Sequence, residues 1–465
     1  MSSLAHGRQS PALKHPPGPE GHRLWGTVRE FRRGPLPTLV RWQREYGDAV
    51  RFRFFLHFYG YLFSHPQHNK HILQDNNRNY TKLPNPGNVI LQPLIGNGLL
   101  VNDGDDWLRQ RRLMQPAFHR RRIAGFARTM TDAVGALLET WQTPAEQGRP
   151  LDVAEEMMRL TLEIAGKTLF SVDLMREAET VGTAFTAASR QLSAFSALPF
   201  GVWLIKWPWW PATRRLNRSV ARLDEVVHGI IAARRRQPAR EVERDLLDML
   251  MAARDEESGA GMSDRQIRDE VMTLMLAGHE TTALALSWTF YLLSRHPDIR
   301  RRLEQEVDEV LGRRVPGAGD IADLAYTTMV LEESMRLYPP AYATGRWCQE
   351  ADQIGGYDVP ANASITLSPY LTHCHPDFWE APEQFDPERF TPERKAERPR
   401  YAYIPFGGGP RQCIGKHFAM TEAILTLAMA TQRYRLEMVP GHPVEMEPLI
   451  TLRPRYGLRM RVRER

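Results

Sequence analysis

One cysteine in this chain stands where its sulfur could do chemistry. Cys413 closes a glycine-rich loop containing Phe406, Gly407 and Gly409, and an apolar run through Phe418, Ala423, Ile424 and Leu427 follows it. Glycines let a backbone turn in ways that side chains forbid and let it approach a flat ligand closely. The helix expected after the loop points unpaired N–H groups and a partial positive charge back at the sulfur, an environment that lowers a thiol's pKa. A thiolate is therefore expected at Cys413. Taken alone, the same residues also describe a turn beside a buried cysteine that acts as a small hydrophobe. Two phosphate-binding readings fail. Gln412 stands where a dinucleotide fingerprint needs its third glycine, and Gly415-Lys416 is followed by His417 instead of serine or threonine.

A second group of polar residues interrupts an apolar stretch. Residues 263–295 form the longest continuous helical candidate, about 50 Å at 1.5 Å per residue. Val271, Met272, Leu274, Met275, Leu284 and Leu286 make its middle apolar on all sides, which marks a buried helix. A membrane span is the rival, but His279 and Glu280 sit at the centre, where a charge costs about 3 kcal/mol on insertion scales. A zinc-protease reading of His279-Glu280 lacks its second histidine, because position 283 is alanine. Gly278, Thr281 and Thr282 weaken the helix, and a threonine hydroxyl can bond back to a carbonyl one turn earlier. A bulge here would admit water or dioxygen beside an apolar pocket. His373-Cys374-His375 looks metal-like, yet no second Cys/His pair stands nearby at zinc spacing.

Phe406, Gly409, Cys413 and Gly415 together match Phe-x-x-Gly-x-x-x-Cys-x-Gly, and the stretch resembles the haem-binding loop of the cytochrome P-450 family, the haem-thiolate monooxygenases. The resemblance extends along the chain in the family's order. It implies a mainly α fold with small β-sheets (α+β), in which a long central helix lies over a haem held against the cysteine loop and its following helix. Cys413 would be the axial ligand of the iron of haem b, with Phe406 packed beside it. Trp107 and Arg111, four apart and so on one helical face, would reach a haem propionate, as would Lys82 and Arg411; Arg346 would meet the other. Thr281 would hydrogen-bond dioxygen, and Glu280 would relay protons from solvent. Glu333 and Arg336 match the family's Glu-x-x-Arg and, with Arg389, imply a buried structural cluster below the haem. Relatives usually carry Arg or Asp within the segment that holds His373, so its contacts are left open.

The elements that must position these residues read as follows. Residues 36–46 suggest an amphipathic helix, with alternating strands near 50–54 and 59–63. Residues 76–105, rich in Asn, Pro and Gly, read as a long irregular loop. Residues 122–236 are mostly helical, apart from 198–211 with Trp203, Trp207, Trp209 and Trp210. That stretch reads either as a rigid aromatic connection or as a lid over a substrate entrance that touches membrane. Short strands with Pro and Gly punctuation fill 341–367. A flexible proline-rich segment, 1–20, is expected before a single domain, 21–465, although the length of 465 residues alone would suggest about three domains.

Composition narrows the class. Three cysteines (Cys348, Cys374, Cys413) make no disulfide framework, so a reducing compartment fits. The formal charge of +6 permits an anionic partner, but no nucleic-acid motif accompanies it. No transmembrane anchor precedes Pro16-Pro17, which argues for a cytoplasmic, bacterial-type monomer. The implied reaction inserts one atom of dioxygen into a C–H bond of a hydrophobic substrate: a fatty acid, terpenoid, carotenoid or steroid. Electrons would come from a separate ferredoxin or flavodoxin and an NAD(P)H-dependent reductase, since no flavin or nicotinamide fingerprint follows Cys413. Arg109, Arg112, Arg120, Arg121 and Arg122 would steer an acidic partner or simply face water. A peroxide-driven peroxygenase is the nearer rival. A haem-thiolate sensor or electron carrier would not need Glu280-Thr281.

Overall fold

Proline at the first helical position and glycine past the last frame the first long helix, α1 (Pro35–Tyr46). It leads into the antiparallel pair β1 (Ala49–Phe55) and β2 (Phe58–Phe63). With β3 (Tyr80–Thr81), β4 (Thr344–Cys348) and β5 (Ala363–Leu367) they form one sheet in the order β1-β2-β5-β4-β3. This computed structural model describes residues 13–237, 245–254, 259 and 261–465. Residues 1–12 of the expected 1–20 segment lie outside them. Its remainder is held to the body: the Asp358 N–H donates to the Lys14 carbonyl (2.8 Å) and the Arg51 N–H to that of Pro17 (3.0 Å).

The rest is mainly helical: α2 (Gly104–Met114), α3 (Arg120–Thr140), α4 (Val153–Leu169), α5 (Ala178–Ser196), α6 (Pro211–Arg235), α7 (Asp264–Arg295), α8 (Ala325–Leu337) and α9 (Lys416–Arg433). A C-terminal hairpin pairs β6 (Met446–Pro448) with β7 (Leu452–Pro454). The main hydrophobic core lies among the helices, and a smaller one lies on the sheet.

Helix α7 is the axis of this packing. Ser263 caps it and Gln266 returns the bond, a reciprocal cap that satisfies two otherwise free N–H groups. Most of its length is buried, including Glu270, His279 and Glu280. Helix α4 lies alongside, with the Thr161 hydroxyl donating to the His279 carbonyl (2.9 Å). Near the far end, Trp288 stacks on Tyr338 (ring centroids 4.2 Å apart) and donates its indole N–H to the Leu452 carbonyl (2.9 Å).

Two sequence expectations change. Residues 76–105 are not one irregular loop: they hold β3 and the short helical turns Pro86–Val89 and Gln92–Ile95. The Asn and Pro that suggest a loop act there as caps, since Asn85 accepts the Gly87 N–H (3.0 Å). No bulge breaks α7 at Thr281; the helix runs unbroken through it.

Candidate active site

The loop before α9 takes its shape from glycine. Gly407 and Gly409 adopt φ of 68° and 64°, the left-handed region that side chains disfavour. A Cβ on Gly409 would lie 1.7 Å from the Leu73 carbonyl oxygen. The loop closes on itself, with the Cys413 N–H donating to the Phe406 carbonyl (2.9 Å) and the Gln412 N–H to that of Gly409 (3.1 Å). Cys413 is a free thiol whose side chain keeps accessible surface, although the polypeptide encloses it densely enough for burial to raise its pKa. The Gly415 amide, Arg111 and Lys416 pull the other way without prevailing. The sequence argument for a lowered pKa weighed the helix terminus and missed the burial. A metal held there would take the sulfur as thiolate, so its binding would displace the thiol proton.

Around the loop, positive charge outweighs negative. Arg411 pairs with Asp103, donates to the Asn102 carbonyl (2.8 Å) and lies 4.4 Å over the Trp107 ring. Asp103 also accepts the backbone N–H groups of Lys82 (2.8 Å) and Leu83 (2.7 Å). The Lys82 ammonium reaches Thr344 (3.3 Å), which also accepts from Arg346 (3.1 Å). Lys82 and Arg346 are buried. Burial, with neighbouring cations, holds Lys82 well below the usual lysine range and brings Arg346 down to about 10. Arg111 donates to the Gln412 carbonyl (2.9 Å) instead of to a carboxylate. Among the described residues, Lys82, Arg346 and Arg411 thus share one carboxylate, Asp103. Buried charge left unpaired is costly, so this corner suits a group bearing carboxylates, beside a sulfur able to hold a metal. Iron protoporphyrin fits both demands.

Thr281 and Glu280 lie on the helix that packs against α9. In the mid-section of α7, Ala277, Gly278 and Thr281 keep accessible surface while 271–276 and 282–290 are buried. The Thr281 hydroxyl donates back to the Ala277 carbonyl (2.6 Å). Glu280 is fully buried; its Oε1 pairs with Arg453 and accepts from the Thr451 hydroxyl (2.8 Å), and its Oε2 has no partner. Arg453 also donates to Thr186 on α5 (2.7 Å). The hairpin β6–β7 therefore grips the acid of α7. Nothing local in the sequence points to Arg453, which lies 173 residues further on.

Sequence reasoning missed three other buried acids or partners. Asp103 gives no pattern of its own. Glu422 interrupts the apolar run of α9, the same signal that marked Glu280. It is fully buried with the Thr282 hydroxyl as its polar neighbour, and burial raises its pKa well above the ordinary value against the pull of that hydroxyl. Glu270, also on α7, accepts the Leu99 N–H through Oε2 (3.1 Å) while Oε1 is unpartnered. Burial pushes its carboxyl up to about 8, against the pull of that amide.

A folded-state carboxyl above its ordinary 4.5 keeps a proton that the unfolded chain has released. Folded stability therefore falls as pH climbs from about 4.5 to about 8, then levels off. Glu270→Gln removes this dependence. The variant's stability relative to the parent should rise across that window by on the order of 3–5 kcal/mol, read by urea unfolding of both proteins at pH values near each end.

His373-Cys374-His375 is no shared ligand set. His373 Nε2 accepts the Ile404 N–H (2.8 Å), whereas His375 Nε2 pairs with Asp48 (2.8 Å). The expected ion cluster is present: Arg336 binds Glu333 through Nε (2.6 Å) and Nη2 (2.8 Å), and Arg389 lies 3.4 Å from the same carboxylate.

Comparisons with known proteins agree with this geometry. The family model described as Cytochrome P450 matches residues 16–459. Cyclooctatin synthase of Streptomyces melanosporofaciens is 38% identical over 460 residues, covering 96% of this chain and 95% of that protein. Cyclooctat-9-en-7-ol 5-monooxygenase of the same organism is 38% identical over 351 residues, 75% of this chain and 74% of that protein. Among solved structures, the heme domain of cytochrome P450DA aligns with a TM-score of 0.86 and 28% identity, over 97% of this chain and 98% of that one.

Proposed function

The chain belongs to the cytochrome P450 family and is a haem-dependent monooxygenase, and from that premise we propose that it hydroxylates a C–H bond of a hydrophobic substrate with electrons from a separate redox partner. The observation that carries the reading is the pair Glu280-Thr281, buried acid beside accessible alcohol, on the helix packed against the one that follows Cys413.

Cys413 would hold the haem iron through its sulfur as thiolate, with the Gly415 amide favouring the anion and Phe406 at the mouth of the loop. Lys82, Arg346, Arg411 and Arg111, with Trp107 beneath Arg411, would hold the carboxylates of haem b by charge-assisted contacts. When bound, haem supplies an iron centre whose anionic sulfur ligand favours O–O cleavage, the chemistry that oxidises a C–H bond. Thr281 holds a hydroxyl proton at Oγ1 that it now donates to Ala277 and can turn toward the accessible side. Glu280 Oε1 is engaged by Arg453 and Thr451, so its unpartnered Oε2 is the atom that would pass a proton toward that hydroxyl.

The buried apolar residues around α7 support a substrate that is mostly hydrocarbon. The relative named for cyclooctat-9-en-7-ol supports the same class. Lys416, His417 and Arg120 are exposed neighbours on the cysteine side and support docking of an acidic ferredoxin or flavodoxin in a cytoplasmic setting. No helix among the described residues is long and apolar enough to cross a membrane.

The test is spectroscopic and kinetic. The reduced carbon-monoxide complex should show the red-shifted Soret band of thiolate ligation, and product should require both NAD(P)H and a partner protein. Full turnover on peroxide alone would overturn the electron-transfer reading. Screening fatty acids, terpenoids, carotenoids and steroids for substrate-induced spectral shifts identifies the class. Thr281→Ala should cut product per NAD(P)H at least tenfold, since a positioned proton donor contributes roughly 10²–10⁴. Reductant consumption should continue, with the electrons recovered as hydrogen peroxide.

A further inference from the structure

Asp103 stands immediately before α2, where an aspartate ordinarily accepts an N–H from the opening turn of the helix. It makes no such bond. Its carboxylate turns the other way: Oδ2 accepts the backbone N–H groups of Lys82 (2.8 Å) and Leu83 (2.7 Å), and Oδ1 pairs with the Arg411 guanidinium. A capping bond contributes about 1 kcal/mol, and this helix forgoes it. The carboxylate is placed for its other partners.

Those partners belong to separate parts of the site. Lys82 follows β3, Asp103 opens the helix that carries Trp107 and Arg111, and Arg411 lies in the cysteine loop. Arg411 is fixed from three directions, by Asp103, by the Asn102 carbonyl (2.8 Å) and by the Trp107 ring 4.4 Å away. Asn102 is held in turn, its side-chain amide donating to Gln110 (3.1 Å). The backbone tether on Lys82 leads its ammonium to Thr344, beside Arg346.

A count of charge gives the carboxylate a second role. Lys82, Arg111, Arg346 and Arg411 can bring four positive charges to this corner. The two carboxylates of haem b and the thiolate of Cys413 supply three negative ones, and Asp103 is the fourth. Among the described residues, no other carboxylate pairs with any of the four cations. Carboxylates beside Lys82 favour its charged form.

We propose that Asp103 is a positioning residue that sets Arg411 and Lys82 for the haem carboxylates and, through its charge, holds down the reduction potential of the iron. The inference rests on the haem-thiolate reading and deepens it. Reduction adds one electron, so the ferrous centre carries one more negative charge than the ferric. A cation left over nearby favours the ferrous form and raises the potential. Asp103 cancels that surplus. Its side chain and that of Arg411 are largely buried, at 20% and 16% exposed, so water and salt screen the effect little. A lower potential limits which reductants can load the first electron.

The experiment measures the midpoint potential of the full haem-loaded chain, by dithionite titration with mediator dyes, beside the reduced carbon-monoxide spectrum. Asp103→Asn keeps the side chain's size and one acceptor oxygen but removes its charge. It should retain the red-shifted Soret band and move the midpoint positive. At a fixed potential the ferrous-to-ferric ratio should rise on the order of tenfold, about 59 mV for one electron. Asp103→Glu should stay near the parent, as should Asp106→Asn, an exposed acid on the same helix. Lys82→Met should move the midpoint negative. The double variant D103N/K82M, with its charges again equal, should return toward the parent. A D103N midpoint equal to the parent's, with the band retained, would overturn the proposal and leave the haem-thiolate reading standing. A parent without the band would end both. Were D103N to load no haem, the double variant decides. Loading with a parental potential supports the proposal, and no loading reduces Asp103 to a structural tie and overturns it.

Discussion

Cys413→Ser should fold, and should bind haem without the red-shifted Soret band of the reduced carbon-monoxide complex. Monooxygenation should fall on the order of a thousandfold or more, about 4 kcal/mol in barrier. The loop survives the change because its bonds are made by backbone: Cys413 N–H to Phe406, Gln412 N–H to Gly409. What disappears is an anionic ligand, since a serine hydroxyl holds its proton far more tightly than a thiol does. No other cysteine can replace it. Cys348 lies in β4, its thiol donating to the Glu350 carbonyl (2.9 Å), and burial pushes both Cys348 and Cys374 up to about 11. Cys348→Ser and Cys374→Ser should therefore leave the band unchanged. A red-shifted band in the Cys413 variant would end the axial-ligand assignment.

The second large effect is on stability. Arg336 is fully buried and saturated: beyond Glu333 it donates to the carbonyls of His373 (3.0 Å), Pro382 (2.7 Å) and Gln384 (3.0 Å). Glu333 also accepts the Asp386 N–H (3.0 Å), which ties α8 to the segment ahead of the cysteine loop. Arg336→Leu would leave a buried carboxylate without its main partner, a loss of about 3–5 kcal/mol, before counting the orphaned carbonyls. Domains hold only about 5–15 kcal/mol in all. Little soluble, haem-loaded protein should therefore accumulate, and what is recovered should unfold at much lower urea when followed by the Soret band. Lysine should not rescue, because it cannot make the two-pronged bond. The exposed pair Arg302–Glu388 is the contrast: Arg302→Ala should change stability by less than about 1 kcal/mol. Equal midpoints for the two variants would refute a structural role for the buried cluster.

How far the sequence foretold all this depends on the range of the interactions. The central helix was legible almost to the residue, because a continuous apolar run is a local signal; it spans Asp264–Arg295. The cluster of Glu333 and Arg336 was legible for the same reason, being one turn apart. The grip of Arg453 on Glu280 was not, since only folding brings β7 to α7. Nor was Asp103 as the carboxylate among Lys82, Arg346 and Arg411, cations that only the family resemblance brought together from separate stretches. Residue type also left open whether the tryptophans of 198–211 pack or face water; most of them face water. The opposing effect of burial on the Cys413 thiol was not legible either, because a helix terminus is visible in a sequence and the packing around it is not.

Lys82, Arg346 and Arg411 around one carboxylate carry a consequence for production of the protein. Each buried cation lacking a partner weakens the bare polypeptide, whereas a ligand that brings two carboxylates and binds only the folded chain stabilises it by mass action. Folding yield and haem supply then become a single variable. A cell short of haem would hold this chain as a protease-sensitive population, and feeding a haem precursor would raise the amount of protein as well as its activity.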